Sequence, residues 1–186
     1  MIKCSVYIAT SVDGFIARAD GDIDWLMRPE YAVSLLNGLS FEEFIADVDA
    51  LVMGRNTYEK VSAFPEWPYG ALPVIVLSSS ALDIPPHLQN SVRREAGAPE
   101  SIVARLANEG YRHLYIDGGN CVQRFLQAGL INELTITRVP LLLGSGIPLF
   151  GAVGTEQQLR LIAAMHSDNG FVQERYAVIA PNNSGP

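Results

Sequence analysis

Cysteine is scarce. Cys4 and Cys121 are the only two among 186 residues, and they form neither a CxxC pair nor a disulfide framework. Both read as reduced thiols, as expected of a cytoplasmic protein. Long apolar runs are missing too: none reaches the roughly 18 residues of a membrane helix. Asp13 interrupts the first apolar stretch too early for a signal peptide. Positive charge is in short supply, with 13 Lys and Arg against 20 Asp and Glu and a net charge of −7. That argues against nucleic acid as a partner, because phosphate backbones need a basic face. It leaves room for one small phosphorylated ligand in a local basic pocket. The three histidines, His87, His113 and His166, are dispersed without HExxH-like spacing, so no metal site is expected. A Walker A loop is absent. Gly144-Ser145-Gly146 opens like GxGxxG but breaks at Pro148 and Leu149, and Ser145 lacks the first glycine of GxSxG.

What is present is an ordinary globular composition, 48% hydrophobic and 18% charged, with no repeat, low-complexity segment or linker. One domain is expected over residues 1–180, followed by a disordered tail, PNNSGP, at 181–186. Apolar runs predict strands over Ile2–Ala9, Ala50–Met53, Pro73–Leu77, His113–Ile116 and Glu133–Val139, with a minor one at Ser91–Arg94. Helices are expected over Glu30–Asn37, Phe41–Asp47, Thr57–Ala63 and Pro99–Glu109, and from Cys121 onward. Ser40 and Glu43 have the spacing of a capping box, and Asn120 is a good N-cap. Leu159–His166 and Phe171–Ile179 flank Asn169-Gly170, a two-residue hairpin signal. Strands alternating with helices predict a three-layer α-β-α fold, with a mostly parallel central sheet and an antiparallel C-terminal hairpin at one edge.

In such sheets, ligands bind at the carboxyl ends of the strands. Three of these ends carry suitable groups: Gly54-Arg55-Asn56-Thr57, Ser78-Ser79-Ser80 and Asp117-Gly118-Gly119-Asn120. Any one alone reads as an exposed arginine, a polar loop or a plain turn. Three anion-compatible ends in one small acidic domain point to a dinucleotide. A cation with neighbouring hydroxyls suits an extra ribose phosphate, hence NADPH rather than NADH.

IATSVDGFIA (8–17), DWL (24–26), VMGRNTYE (52–59), PVIVLSS (73–79) and IDGGN (116–120) follow one another in the order and rough spacing of dihydrofolate reductases, which the chain resembles. INELTITRVPLLLGSGIPLFG (131–151) is similar to the reductase (RibD C-terminal) domain of riboflavin biosynthesis. The resemblance spans nearly the whole chain. It implies an NADPH site: Ala9 and Ile16 flank the nicotinamide, while Gly54, Arg55 and Thr57 bind phosphates, with Arg55 near the 2′-phosphate. Leu77, Ser78 and Ser79 hold the adenosine end, and Gly118, Gly119 and Asn120 the pyrophosphate. Trp25 sits at the substrate pocket mouth, between cofactor loop and substrate, or serves as a core aromatic, or takes both roles. A homodimer is also implied, with Leu141-Leu142-Leu143 and the hairpin as candidate contacts; a core role for those leucines is the equal alternative.

The substrate side departs from the pattern. Counted from Trp25, the dihydrofolate reductase carboxylate falls on Glu30; counted back from Gly54, it falls on Gly38. The region therefore carries an insertion, and Glu30 reads either as the proton donor or as a first-turn helix acid. Asp117 occupies a position that is usually apolar in dihydrofolate reductases and often acidic in riboflavin-type reductases. It reads as a substrate-binding or proton-donating carboxylate, or as a turn-former. The acidic pair that riboflavin-type reductases carry near the ribityl phosphate is missing. The expected function is NADPH-dependent hydride transfer to a C=N or C=O of a small pterin- or pyrimidine-like molecule. The alternative is an NADPH-binding module without turnover.

Overall fold

A computed structural model describes residues 2–31, 37–151, 154 and 156–179. The tail at 181–186 and positions 32–36 of the expected Glu30–Asn37 helix lie outside these. In chain order the elements are β1 (Lys3–Ser11), β2 (Phe15–Ala17), α1 (Phe41–Ala46), β3 (Ala50–Gly54), α2 (Arg55–Ser62), β4 (Val74–Leu77) and β5 (Val92–Glu95). There follow α3 (Pro99–Asn108), β6 (His113–Asp117), α4 (Gly119–Gln127), β7 (Glu133–Val139), β8 (Ile147–Pro148), β9 (Leu159–His166) and β10 (Val172–Val178). Short 3-10 turns cover Asp24–Leu26, Pro29–Tyr31 and Pro86–Leu88.

The main sheet has eight strands in the order β5-β4-β3-β6-β1-β7-β10-β9. β5 through β7 are parallel, and β10 and β9 close one edge antiparallel. This is the expected α-β-α architecture. Alternation along the buried strands sends successive side chains to opposite faces. Ala50 and Val52 join Val6, Ile116, Leu134 and Ile136 beneath the apolar sides of α3 and α4, where Ile102, Leu106, Val122 and Phe125 are fully buried. Leu51 and Met53 turn the other way, with Val74, Val76 and Tyr115, to meet Phe44 of α1 and Tyr58 of α2. Each fully buried large side chain contributes about 1.5–3 kcal/mol, so the two layers hold the strand ends in fixed relative positions.

Local signals mostly hold. The Ser40–Glu43 capping box forms, with Ser40 N donating to Glu43 Oε2 at 2.9 Å and Glu43 N to Ser40 Oγ at 3.1 Å. Two details differ. α2 and α4 begin earlier than expected, at Arg55 and Gly119, and glycines, not Asn120, occupy their N-cap positions. The hairpin register pairs Val172 with His166, so five residues, not two, make the connection. Ser167 N donates to the Phe171 carbonyl across it, and Gly170 takes φ 84°. No helix among the described residues is long and apolar enough to cross a membrane.

Candidate active site

The carboxyl ends of β1, β3, β4 and β6 open into one cavity of about 910 Å³. Two helices start there. α2 follows Gly54 and α4 follows Gly118, and neither helix has a side-chain cap. Their first N–H groups therefore carry the positive helix ends into the cavity without a competing protein acceptor from the cap.

Gly118 combines φ 84° with ψ 136°, a backbone conformation in which a side chain is strained. A Cβ there would also collide with Thr57 Oγ1, so the end of β6 and the first turn of α2 approach this closely only because Gly118 is bare. Gly118→Ala is expected to lower stability by about 2–4 kcal/mol through strain plus overpacking. An unchanged urea midpoint would contradict this account of the turn.

The LLGSGIPLF segment fastens the neighbouring loop. β8 pairs with β2. A Cβ on Gly146 would run into the Ala17 carbonyl, and one on Gly119 would stand 3.2 Å from Ile16 Cδ1 and 3.1 Å from the Pro148 carbonyl. The Asp13 carboxylate accepts N–H bonds from Leu143 (3.1 Å) and Gly144 (2.7 Å), which hold its pKa below the usual carboxylate value alongside the Ser11 hydroxyl, the largest cause. The motif thus presses Ile16 against the first turn of α4.

Arg55 stands at the first turn of α2. Its guanidinium donates to Glu59 Oε1 (2.7 Å), Ser80 Oγ (2.5 Å) and the Ala81 carbonyl (3.1 Å). Beside it a second cavity of about 350 Å³ is lined by Leu77, Ser78, Ser79 and Ser80, with Arg55 and Arg124 contributing to both cavities. Arg124 donates to the Gly97 carbonyl at 3.2 Å.

Asp117 ends β6 and lines the large cavity. Burial raises its pKa from 3.8 to about 6, against the Gly118 N–H and the Tyr115 hydroxyl, which favour the charged form. Tyr115 has one hydroxyl proton, and it is donated to the Tyr7 carbonyl at 2.9 Å. Its help to the carboxylate is accordingly weak, and the upward direction stands. Tyr7 and Tyr69 line the same end of the cavity.

Ala9, Ile16, Gly54, Arg55, Thr57, Leu77, Asp117, Gly118, Gly119 and Asn120 all line the large cavity, and Ser78 and Ser79 the adjoining one. Two expected residues stand elsewhere. Trp25 is 0% exposed and buried behind the wall that Ile23 and Leu26 present, which is the core-aromatic reading. Glu30 follows Pro29 in a 3-10 turn, is 61% exposed and faces Arg28 at 3.9 Å. It does not reach the cavity, because the chain between Trp25 and α1 is longer than the count assumed. Cys121 is buried, and burial pushes its thiol pKa well up, so a reactive thiolate is absent there. No cluster of metal-ligating side chains occurs among the described residues. Arg124, Lys60 and the three tyrosines escaped the sequence reading. Arg124 was within reach, since it lies one turn after Asn120 on the same helical side. Tyr69, in a proline-rich loop, carries no periodic signal.

Comparisons with known proteins place the chain in a family. The family model described as the RibD C-terminal domain matches residues 3–173. The uncharacterized protein YwjB of Bacillus subtilis (strain 168) is 38% identical over 161 residues, covering 86% of this chain and 88% of its own. A crystal structure from Shewanella sp. PV-4, provisionally named as a riboflavin biosynthesis protein, is 38% identical with a TM-score of 0.85, over 96% of this chain and 99% of that one. The Thermotoga maritima diaminohydroxyphosphoribosylaminopyrimidine deaminase/5-amino-6-(5-phosphoribosylamino)uracil reductase shares the fold, with a TM-score of 0.71 at 15% identity, over 96% of this chain and 57% of that one. The match runs almost from end to end, and on it the chain belongs to the RibD C-terminal domain family, with the dihydrofolate reductase-like fold.

Proposed function

We propose that this protein is an NADPH-dependent reductase that delivers hydride to a C=N or C=O bond of a small pterin- or pyrimidine-like substrate. The observation that carries the reading is the convergence of two uncapped helix N-termini, at Gly54 and Gly118, on one cavity that also holds Arg55 and Asp117. The residues present fit a dinucleotide. The helix starts suit the pyrophosphate, and Arg55 with the serine loop suits an adenosine 2′-phosphate. Ala9 and Ile16 offer flat apolar contact for a nicotinamide ring.

When bound, NADPH supplies the hydride. The protein contributes alignment, exclusion of water and a proton. The β2–β8 pair fixes Ile16 over the cavity. Asp117, with its carboxyl protonated up to about pH 6, donates to the nitrogen or oxygen of the reduced bond as hydride arrives at carbon, and recovers its proton from solvent. The test is NADPH oxidation with dihydrofolate and with a deaminated ribitylaminopyrimidine side by side.

The alternative, a nucleotide-binding module without turnover, is favoured by one observation: Glu30 lies outside the cavity, so the proton depends on Asp117. It predicts tight NADPH binding with no oxidation in either assay.

We also infer a homodimer through the hairpin. Leu159, Leu161, Ile162 and Met165 of β9 are 42–53% exposed on an unpaired sheet edge, the kind of surface that soluble chains cover. Leu142, at 71% exposure, lies in the loop after β7. Leu161→Lys is expected to halve the mass seen by sedimentation equilibrium; an unchanged dimer would place the contact elsewhere, and a monomeric parent protein would remove it.

A further inference from the structure

The two ends of the cavity differ in charge, and the difference bears on the substrate. At one end Arg55, Arg124 and the serine loop offer donors to an anion, with Glu59 held on Arg55 and Glu95 held on Arg105. The opposite end is walled by aromatic side chains. Tyr69 stands edge-on to Trp67, with centroids 5.2 Å apart, and Trp67 in turn to Tyr58 at 6.2 Å. Tyr115 meets Phe44 at 5.0 Å, and Phe44 stacks on Tyr7 at 4.9 Å. These two ladders run back into the core, so the rings that line the cavity are held rigidly. Tyr7 and Tyr115 commit their hydroxyl protons to the Leu39 and Tyr7 carbonyls, both at 2.9 Å. What they offer a ligand is chiefly ring surface.

Besides Arg55 and Arg124, Lys60 is the one cation among the described residues that line this cavity. It lies over Gly21, where a Cβ would stand 3.0 Å from its Cε and 3.7 Å from its Nζ. Gly21 is flanked by Asp20 and Asp22, which line the cavity too, and Asp117 stands deeper in. Positions 32–36, AVSLL, bring no charge in the sequence. One lysine among three carboxyl groups does not compensate a phosphate dianion, whose removal from water needs several donors or cations.

Resting on the reductase reading above, we propose that the substrate is a flat, unphosphorylated heterocycle, sandwiched by the tyrosine rings and held through ring N–H groups by Asp117. This separates the chain from the phosphoribosyl-bearing uracil named for the Thermotoga protein. The same end of the cavity would receive the sugar substituent without a phosphate.

The test is calorimetric titration of the protein saturated with NADP+. The probes are 7,8-dihydropterin, 5-amino-6-ribitylaminouracil and the 5′-phosphate of the latter. At least one phosphate-free probe is expected to bind about tenfold or more tighter than the phosphate ester, a gap of about 1.4 kcal/mol. Asp117→Asn should weaken that probe about tenfold while NADP+ affinity stays unchanged, and Lys60→Ala should leave it within about twofold. Tighter binding of the phosphate ester, lost in Lys60→Ala, would overturn the proposal and make Lys60 a phosphate ligand. Failure of every phosphate-free probe to bind while NADP+ binds normally would overturn the substrate class and leave the cofactor reading standing. Failure of NADP+ itself to bind would sink both.

Discussion

Asp117→Asn is expected to lower kcat by about 10²–10⁴-fold, the usual contribution of a positioned general acid, while NADPH affinity stays within about twofold. Asparagine keeps the shape and a hydrogen-bonding head but has no proton to give. The pH dependence follows from the raised pKa. Asp117 is protonated below about pH 6, so the rate of the parent enzyme should fall as pH rises through that value, and the variant's residual rate should lose that step. Stability should move the same way with pH. The folded state binds more protons at Asp117 than the unfolded chain between the ordinary value of 3.8 and about 6, so this group's contribution declines as pH rises through that window. Replacing it by a neutral amide should therefore stabilise the protein at pH 7, by an amount on the order of 1–3 kcal/mol. Lost turnover with gained stability is the signature of a carboxyl kept in a costly place for its chemistry. A variant that turns over normally would remove Asp117 from the mechanism; one that loses both activity and stability would make it a turn-former.

The parts of this fold that were legible in the sequence are those decided by local chemistry. Short continuous apolar runs rich in β-branched residues, such as Val74–Leu77, read as strands covered on both faces, and this one is. The capping box at Ser40 needs nothing beyond three residues of helix. The three ligand-bearing strand ends followed from the βα pattern alone, because a parallel sheet sends every such end to one rim. What was not legible depends on distances through space or on chain lengths between landmarks. Asn120 was read as a cap from residue preference, but positive φ at Gly118 starts α4 two residues earlier, which sets Asn120 in the first turn as an exposed residue. Glu30 was reached by counting along a segment that is longer here than the pattern supposes. Trp25 was read as a pocket-mouth residue, a core aromatic or both, and only the core part shows: it is completely buried while its neighbours Ile23 and Leu26 provide the lining. The gathering of Asp117, Tyr7 of β1 and Tyr69 of the proline-rich loop on one cavity is a matter of register between strands and loops distant in sequence. No window of the chain contains it.

Arg55→Ala is expected to weaken NADPH by about 10–100-fold and NADH by no more than about threefold. The argument is one of charge. An adenosine 2′-phosphate brings a second anionic group to the Ser78–Ser80 loop, and the guanidinium already reaches Ser80 Oγ and the Ala81 carbonyl there. Charge-assisted bonds to phosphate are worth roughly 1.5–3 kcal/mol, which is that range of affinity. NADH carries no phosphate at that position, so it loses only what Arg55 lends to the rest of the nucleotide. Arg124 should show the same preference more weakly: it lines both cavities, yet one of its donors is spent on Gly97. Folding provides the control. Arg55 pairs with Glu59 on an exposed helical face, at 38% and 53% side-chain exposure, and such i,i+4 pairs are worth about 0.3–0.5 kcal/mol. The variant should therefore melt within a degree or two of the parent. Titrations of both nucleotides by tryptophan fluorescence would read the ratio. Equal weakening of NADPH and NADH would show that Arg55 serves the shared part of the dinucleotide, and the serine loop would then lose its claim to the extra phosphate.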